Sequence, residues 1–408
     1  MKKRILFVDD EEFALRGLDR LLRSMRDEWE MEFVDAGDKA LARMAEAQFD
    51  VIVSDMRMPG MNGAELLNEV MKRHPKTIRL ILSGYADRDL ILKCIGFTHQ
   101  YLAKPCDAKT LKMTVLRAVH LEESLKSETL RQLVNRCNVL PSVPALYSEI
   151  IETLQDPEAG IEKIGAIIIK DVAMTAKILK LVNSAFFGLG NEISSPSEAV
   201  AFLGTDTIKS LILVTHAFSN SEIQLDGFSI ESLWSHSLEV SKAAKIVAFY
   251  EGAEKKFIDE AFVAGLLHDV GKLVFALNLP QEYQEAINLA RGTQVSLAVA
   301  ERQIFGADHA DVGGYLLGLW GLPVPVVEAI ALHHRPDTTP LKSFSPLTAL
   351  HVANALASAA HPSMIDVPAS ELDMQYLSTL GLNDHLNAWR QASAAQCDTR
   401  TKMGSRMP

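Results

Sequence analysis

Seven side chains in the second half of the sequence have the types and order of a metal or phosphate-ligand site: His236, the adjacent His268 and Asp269, Lys272, His309, and the adjacent His333 and His334. Imidazole and carboxylate ligands drawn from several helices are how helical bundles hold metal ions. A pair of such ions activates water for hydrolysis only when enough anionic ligands hold them both. A second set lies in the first 120 residues: Asp9, Asp10, Asp55, Ser83 and Lys104. Carboxylates that converge repel one another, and a hard dication such as Mg2+ with oxygen ligands relieves the repulsion. Asp55 could then attack a phosphoryl group as a nucleophile, with Ser83 and Lys104 holding the transferred oxygens.

These residues need elements to position them. Short apolar runs at 5–8, 51–53, 80–82 and 101–103, with a weaker one at 32–34, predict strands, the stronger runs buried on both faces of a parallel sheet. Between them the spacing predicts helices over Phe13–Met25, Lys39–Ala47, Ala64–Arg73 and Arg88–Ile95, and a further helix starting near Asp107. Five strand–helix repeats imply a doubly wound five-stranded parallel sheet whose ligand site forms at the strands' carboxyl ends. Asp9 and Asp10 follow the first strand, Asp55 the third, Ser83 the fourth and Lys104 the fifth. Any one acid after a strand is an ordinary loop residue; five positions in order are not.

From Asp107 to about Asn135 the sequence has no Pro or Gly, so an extended helical linker is expected over 107–139, overlapping the last helix of a first domain at 1–120. The first breaker is LPSVP at 140–144, and an all-α domain is expected over 140–390, with a tail at 391–408 that has no helical period. Helical periodicity is clear in VAMTAKILKLVN (172–183), and the NSAFFGLG that closes it shows two aromatics, Phe186 and Phe187. Core packing is the plainer use of these rings; a docking surface is the alternative, with Asn183 and Ser184 binding a partner's backbone.

Apolar residues make up 48% and charged residues 23% of the 408, the balance of a folded multidomain protein. The 41 basic and 52 acidic residues give 41 − 52 = −11, and no Lys/Arg run could track a phosphate backbone, so direct nucleic-acid binding is not expected. The four cysteines lack metal or redox spacing, and no stretch is long and apolar enough to span a membrane. A cytoplasmic protein is the expectation.

FVDDEE, SDMRMPGMNG, LSGY and YLAKP resemble the receiver domain of two-component response regulators. The resemblance implies that Asp55 accepts phosphate from a sensor histidine kinase and that Mg2+ is held by Asp9, Asp10, Asp55 and the backbone carbonyl of Arg57. It also implies a switch hydroxyl at Ser83, a phosphate-binding cation at Lys104 and an aromatic at Tyr101 that reorients on activation. Receivers often pair through their last helices, which leaves room for a homodimer.

The second half resembles the HDOD domain, a relative of the HD-family metal-dependent phosphohydrolases, in LPSVPAL, LWSHSLEV, GLLHDVGKL, FGADHADVGGYLLGLWGLP and AIALHHRP. Domains of this kind keep histidines of the HD pattern and are regarded as signalling or interaction modules, so the resemblance implies no catalytic residue here. The position where catalytic relatives carry a late aspartate is Asn354, and HHRPDTTPLKSF lacks the Gly-Tyr-Pro of the related phosphodiesterases. His236, His268, Asp269, Lys272, His309, His333, His334 and Asn354 therefore form a candidate vestigial metal or ligand site, with a transition metal as its candidate cofactor. The expected protein is a phosphorelay response regulator whose non-catalytic output domain binds an unidentified partner in signalling, such as an enzyme of second-messenger turnover. The alternative is a receiver-controlled, metal-dependent phosphodiesterase acting on a cyclic dinucleotide.

Overall fold

The computed structural model describes residues 2–84, 97–124, 160–183, 193–204, 225–339, 342–360 and 371–393, with isolated positions between them. The chain divides into two compact units: Met1–Gly165 with Ala173–Asn220 and Tyr315–Leu322, and Ala166–Val172 with Ser221–Gly314 and Pro323–Pro408.

The first unit is built on five parallel strands, β1 (Lys3–Val8), β2 (Trp29–Val34), β3 (Val51–Asp55), β4 (Ile78–Ser83) and β5 (Gln100–Ala103), in the order β2-β1-β3-β4-β5. β3 and β4 are buried along their whole length, and Ile5 to Val8 of β1 are buried too, because a parallel sheet has both faces covered. Helices α1 (Glu12–Leu21), α2 (Gly37–Glu46), α3 (Gly63–Arg73) and α4 (Ala108–Ser124) complete the described part of this fold. The expected strands and helices are present within a few residues, except that the stretch expected to continue α1 closes as a separate 3-10 turn at Arg23–Met25. The helix expected over Arg88–Ile95, the LPSVP boundary and, apart from isolated positions, the linker after Ser124 lie outside the described residues.

The strand order reverses between β1 and β3, so their carboxyl ends open a crevice, and Asp9 and Asp55 stand there. α3 is fixed beside it by a capping box: Glu65 N donates to Asn62 Oδ1 at 3.0 Å, and Asn62 N donates to Glu65 Oε2 at 3.1 Å. A Cβ on Gly63 would overlap the carbonyl oxygen of Asp55, so only glycine lets this helix start so close to β3.

At the opposite ends of β4 and β5, polar groups tie the sheet to later segments of the same unit. Arg79 is fully buried and donates through Nε to the Phe97 carbonyl at 2.6 Å, through Nη1 to the Thr77 carbonyl at 3.0 Å, and through Nη2 to the Asn135 carbonyl. Lys180, on α6 (Val172–Val182; α5 is Ile161–Ile168), donates to the Thr98 carbonyl at 2.7 Å. Gln100 Nε2 donates to the Leu319 carbonyl at 3.0 Å, and the Tyr315 hydroxyl donates to Asn135 Oδ1 at 3.1 Å. Buried cations here are satisfied by backbone oxygens, which holds the donors to one geometry.

After α7 (Pro196–Leu203), the second unit is helical: α8 (Ile230–Tyr250), α9 (Lys255–Leu267), α10 (Val270–Asn278), α11 (Pro280–Thr293), α12 (Leu297–Phe305), the start of α13 (His309–Leu319), α14 (Val324–Leu332), α15 (Pro346–Ala360) and α16 (Met374–Thr379). α8, α9 and α15 pack on one another, and α14 packs on both α9 and α15. Gly265 lets α9 lie close on α8, since a Cβ there would press on the backbone of Ser241.

Gly63→Ala is expected to lower receiver stability by about 1–3 kcal/mol through forced displacement of α3. Gly17→Ala, on α1 with open space around it, is expected to raise stability by about 0.5–1 kcal/mol. Urea unfolding of both variants checks the contrast; equal effects would remove the steric argument.

Candidate functional site

In the receiver crevice, Asp9 is 1% and Asp55 7% exposed, and Lys104 reaches between them from the end of β5. Its Nζ donates to Asp9 Oδ2 at 2.7 Å and also pairs with Asp55 Oδ1. Asp55 Oδ2 accepts the Arg57 backbone N–H at 2.6 Å, and Asp9 Oδ1 accepts that of Glu11 at 2.9 Å. Each carboxylate thus keeps one oxygen on the lysine and one on a backbone donor. Burial raises the Asp55 carboxyl above the ordinary carboxylate range, against the pull of Lys104. Burial works against the Lys104 charge as well, but its hydrogen bonds to Asp55 and Asp9 lift the ammonium above the ordinary lysine value.

Ser83 is fully buried at the end of β4, and its carbonyl accepts the Lys104 backbone N–H at 2.8 Å, which sets the two residues side by side. Tyr101 is fully buried on β5. Asp10 is exposed, so Asp9, Asp55 and Lys104 are the members of the expected set in direct contact. The carboxylate oxygens of Asp9 and Asp55 that converge on Lys104, with the exposed Asp10 next in sequence, are the hard oxygen donors that a dication such as Mg2+ takes.

In the second unit the histidines come together from helix ends. His268 caps the C-terminus of α9, Asp269 precedes α10, His309 begins α13 and His333 caps α14. Asp269, 2% exposed, lies at the centre. Its Oδ1 is 3.3 Å from both His268 Nε2 and His309 Nε2, and its Oδ2 accepts from Lys272 Nζ at 2.9 Å, with His236 Nε2 4.0 Å away. His334 Nε2 and His309 Nε2 are 2.9 Å apart, and His236 Nε2 is 3.1 Å from Asn354 Oδ1. Two triads, His236/His268/Asp269 and His309/His333/His334, each have ligand atoms within 4.8 Å of one another. All eight expected residues therefore belong to one cluster.

Burial would raise the Asp269 carboxyl, but the His268 and Lys272 charges hold it well below the ordinary range. His333 and His334 are kept neutral by burial, the form that ligates metal. Burial also opposes charge on His309, yet Glu301 beside it, with hydrogen bonds to Asp269 and Glu301, lifts it to about 10. His333 Nε2 is buried without a hydrogen-bond partner among the described residues, an acceptor left for a ligand or ion.

Two participants were not evident from the sequence. Glu301 on α12 is fully buried and accepts from His309 Nδ1 at 2.6 Å and from the His309 backbone N–H at 2.8 Å. His351 on α15 places Nδ1 2.9 Å from the His333 carbonyl, steadying the turn that carries both adjacent histidines. Asn183, by contrast, has its amide engaged with its own chain, Nδ2 on the Ile193 carbonyl at 2.6 Å and Oδ1 on the Ile193 N–H at 2.7 Å. Those atoms close a loop and are not available to a partner's backbone; Ser184, Phe186 and Phe187 lie outside the described residues.

The family model of the response regulator receiver domain matches residues 5–116, and that of the HDOD domain matches residues 140–336. Over 260 residues the chain is 26% identical to an uncharacterized protein of Treponema pallidum, covering 63% of this chain and 50% of that one. Over 120 residues it is 36% identical to the hydrogenase transcriptional regulatory protein HoxA of Cupriavidus necator, covering 29% of this chain and 24% of that one. The chain spans half or less of the length of these curated relatives. The crystal structure of the MmoQ response regulator from Methylococcus capsulatus is similar over 62% of this chain and 98% of that one, at 25% identity and a TM-score of 0.49.

Asp269→Ala removes the acceptor shared by His268, His309 and Lys272, and breaking a buried ion pair in this way is expected to cost about 3–5 kcal/mol. Chemical denaturation of the metal-free protein measures it, and a loss below about 1 kcal/mol would show that Asp269 does not hold the cluster together.

Proposed function

We propose that this chain, a response regulator that joins a receiver domain to an HDOD domain, takes a phosphoryl group from a sensor histidine kinase on Asp55 and uses it to control an output domain that binds a partner protein. The observation that carries the reading is Lys104 seated between Asp9 and Asp55. An Asp55 oxygen attacks phosphorus, the new O–P bond forms as the donor's N–P bond breaks, and the donor histidine leaves with the electron pair. Lys104 neutralises oxygens of the transferred group, and the Ser83 hydroxyl would donate to another. Mg2+ held by Asp9, Asp10, Asp55 and the Arg57 carbonyl would shield the incoming charge.

The phosphoryl group adds negative charge where Lys104 now serves both carboxylates, and so biases Ser83, Tyr101 and the strands that carry them. β4 and β5 end in Ser83 and Lys104 on one side and in the Arg79, Thr98 and Gln100 contacts on the other. That supports a route from the crevice to the segments at 173–182 and 315–322 through strands within one compact unit, beside the helical linker.

For the output, a binding role is favoured by the count of anionic ligands. Asp269 is the carboxylate of the two triads, and Asn354 gives His236 a neutral oxygen. Two dications need more negative charge than this, whereas a set of imidazoles with one carboxylate fits one transition metal ion. Such an ion would act as a structural tie between helices, and the partner would be a protein of the same cytoplasmic signalling system, such as an enzyme of second-messenger turnover. No role in direct DNA contact is assigned.

Incubation with a small phosphodonor and Mg2+ is expected to phosphorylate the wild type and leave Asp55→Ala unlabelled; equal labelling would refute the first step. Loading the receiver with beryllofluoride should alter amide exchange in 160–393, and an unchanged exchange pattern there would sever receiver from output. Metal analysis is expected to find about one equivalent of zinc in the wild type and closer to two in Asn354→Asp. Two equivalents in the wild type would contradict the ligand count.

A further inference from the structure

We propose that Glu301 is a positioning residue for the histidine cluster: its carboxylate holds the His309 ring so that Nε2 faces the other ligands, ready to bind a divalent transition metal ion. The inference rests on the single-metal reading above and assigns a function to a residue outside the expected set.

The anchoring of the three most buried rings leads to it. His268 and His333 sit at helix C-termini, and each directs Nδ1 to a carbonyl three residues back in its own helix, Gly265 at 2.8 Å and Ile330 at 2.7 Å. His309 stands at the first position of α13, so it has no preceding helical turn to offer a carbonyl. Glu301 supplies the acceptor instead, from α12 across the turn that Gly306 makes with a φ of 78°.

The chemistry of the pair fixes the direction of the bond. A carboxylate that also accepts the His309 backbone N–H is acting as an acceptor, so the Nδ1 side of the ring carries the hydrogen and donates. That leaves Nε2, 3.3 Å from Asp269 Oδ1 and 2.9 Å from His334 Nε2, as the atom that would ligate once a metal displaces its proton. Both bonds fall on Oε2; Glu301 is fully buried, and Oε1 has no hydrogen-bond partner among the described residues. Burying a carboxylate with half its capacity unused is costly, and its two recorded partners are both atoms of His309. Carboxylate-to-histidine contacts of this kind set ring orientation and raise donor strength at metal sites.

A purely structural role, in which Glu301 only caps α13 through the backbone N–H, makes a different prediction. The test uses the full chain and zinc in competition with a chromophoric chelator. Glu301→Ala is expected to weaken zinc binding about 10–100-fold, while Glu301→Gln, which keeps an acceptor in place, should recover most of that loss. Ring-nitrogen NMR of the wild type supplies a readout independent of whether the variants fold: zinc should shift the His309 Nε2 resonance and leave Nδ1 protonated. Unchanged zinc affinity in Glu301→Ala, or zinc on Nδ1, overturns the proposal and leaves the single-metal reading standing. A wild type that takes up no zinc overturns both.

Discussion

The second unit is organised by the burial of one carboxylate, Asp269, among imidazoles and a lysine. A charge taken out of water must find its counter-charges and donors locally, and Asp269 finds them in Lys272, His268 and His309. Those residues lie at the ends of α9, α10 and α13, so the chain must reverse around the site and the helices must be short. Glycines follow from the same constraint. Gly271, in the first turn of α10, has the His309 carbonyl where a Cβ would go. The cluster thus ties the ends of α9, α10 and α13 together whether or not it holds an ion.

The receiver solves a similar problem with a different outcome. Asp9 and Asp55 share Lys104 as their counter-charge, and both stand at the crevice where strand order reverses. On the proposed function, a phosphoryl group on Asp55 would redistribute the contacts of this lysine. In the second unit, three partners lock Asp269 in place.

Much of this was legible in the sequence. The receiver's candidate site residues follow apolar runs directly, so reading the strands also reads where they stand; Asp9, Asp55, Ser83 and Lys104 all fall at strand ends. The histidines could be grouped because the residue types are rare and their order matches a known family pattern. Glu301 was hidden because an acid within an amphipathic helix ordinarily points to water, and only the turn at Gly306 brings His309 back over it. Asn183 misled in the opposite direction, since a polar residue beside aromatics looks available until its amide is found closing a loop onto Ile193. Pattern reveals which residues face inward; it does not reveal which polar groups satisfy one another across the chain.

The central claim is that the HDOD half is a platform whose remaining ligands do not support hydrolysis. The most direct measurement is turnover of a cyclic dinucleotide by the full chain, with Mn2+ supplied and the receiver loaded with beryllofluoride or left unloaded. No turnover above buffer in either state is the predicted result; turnover that disappears in His268→Ala would contradict it.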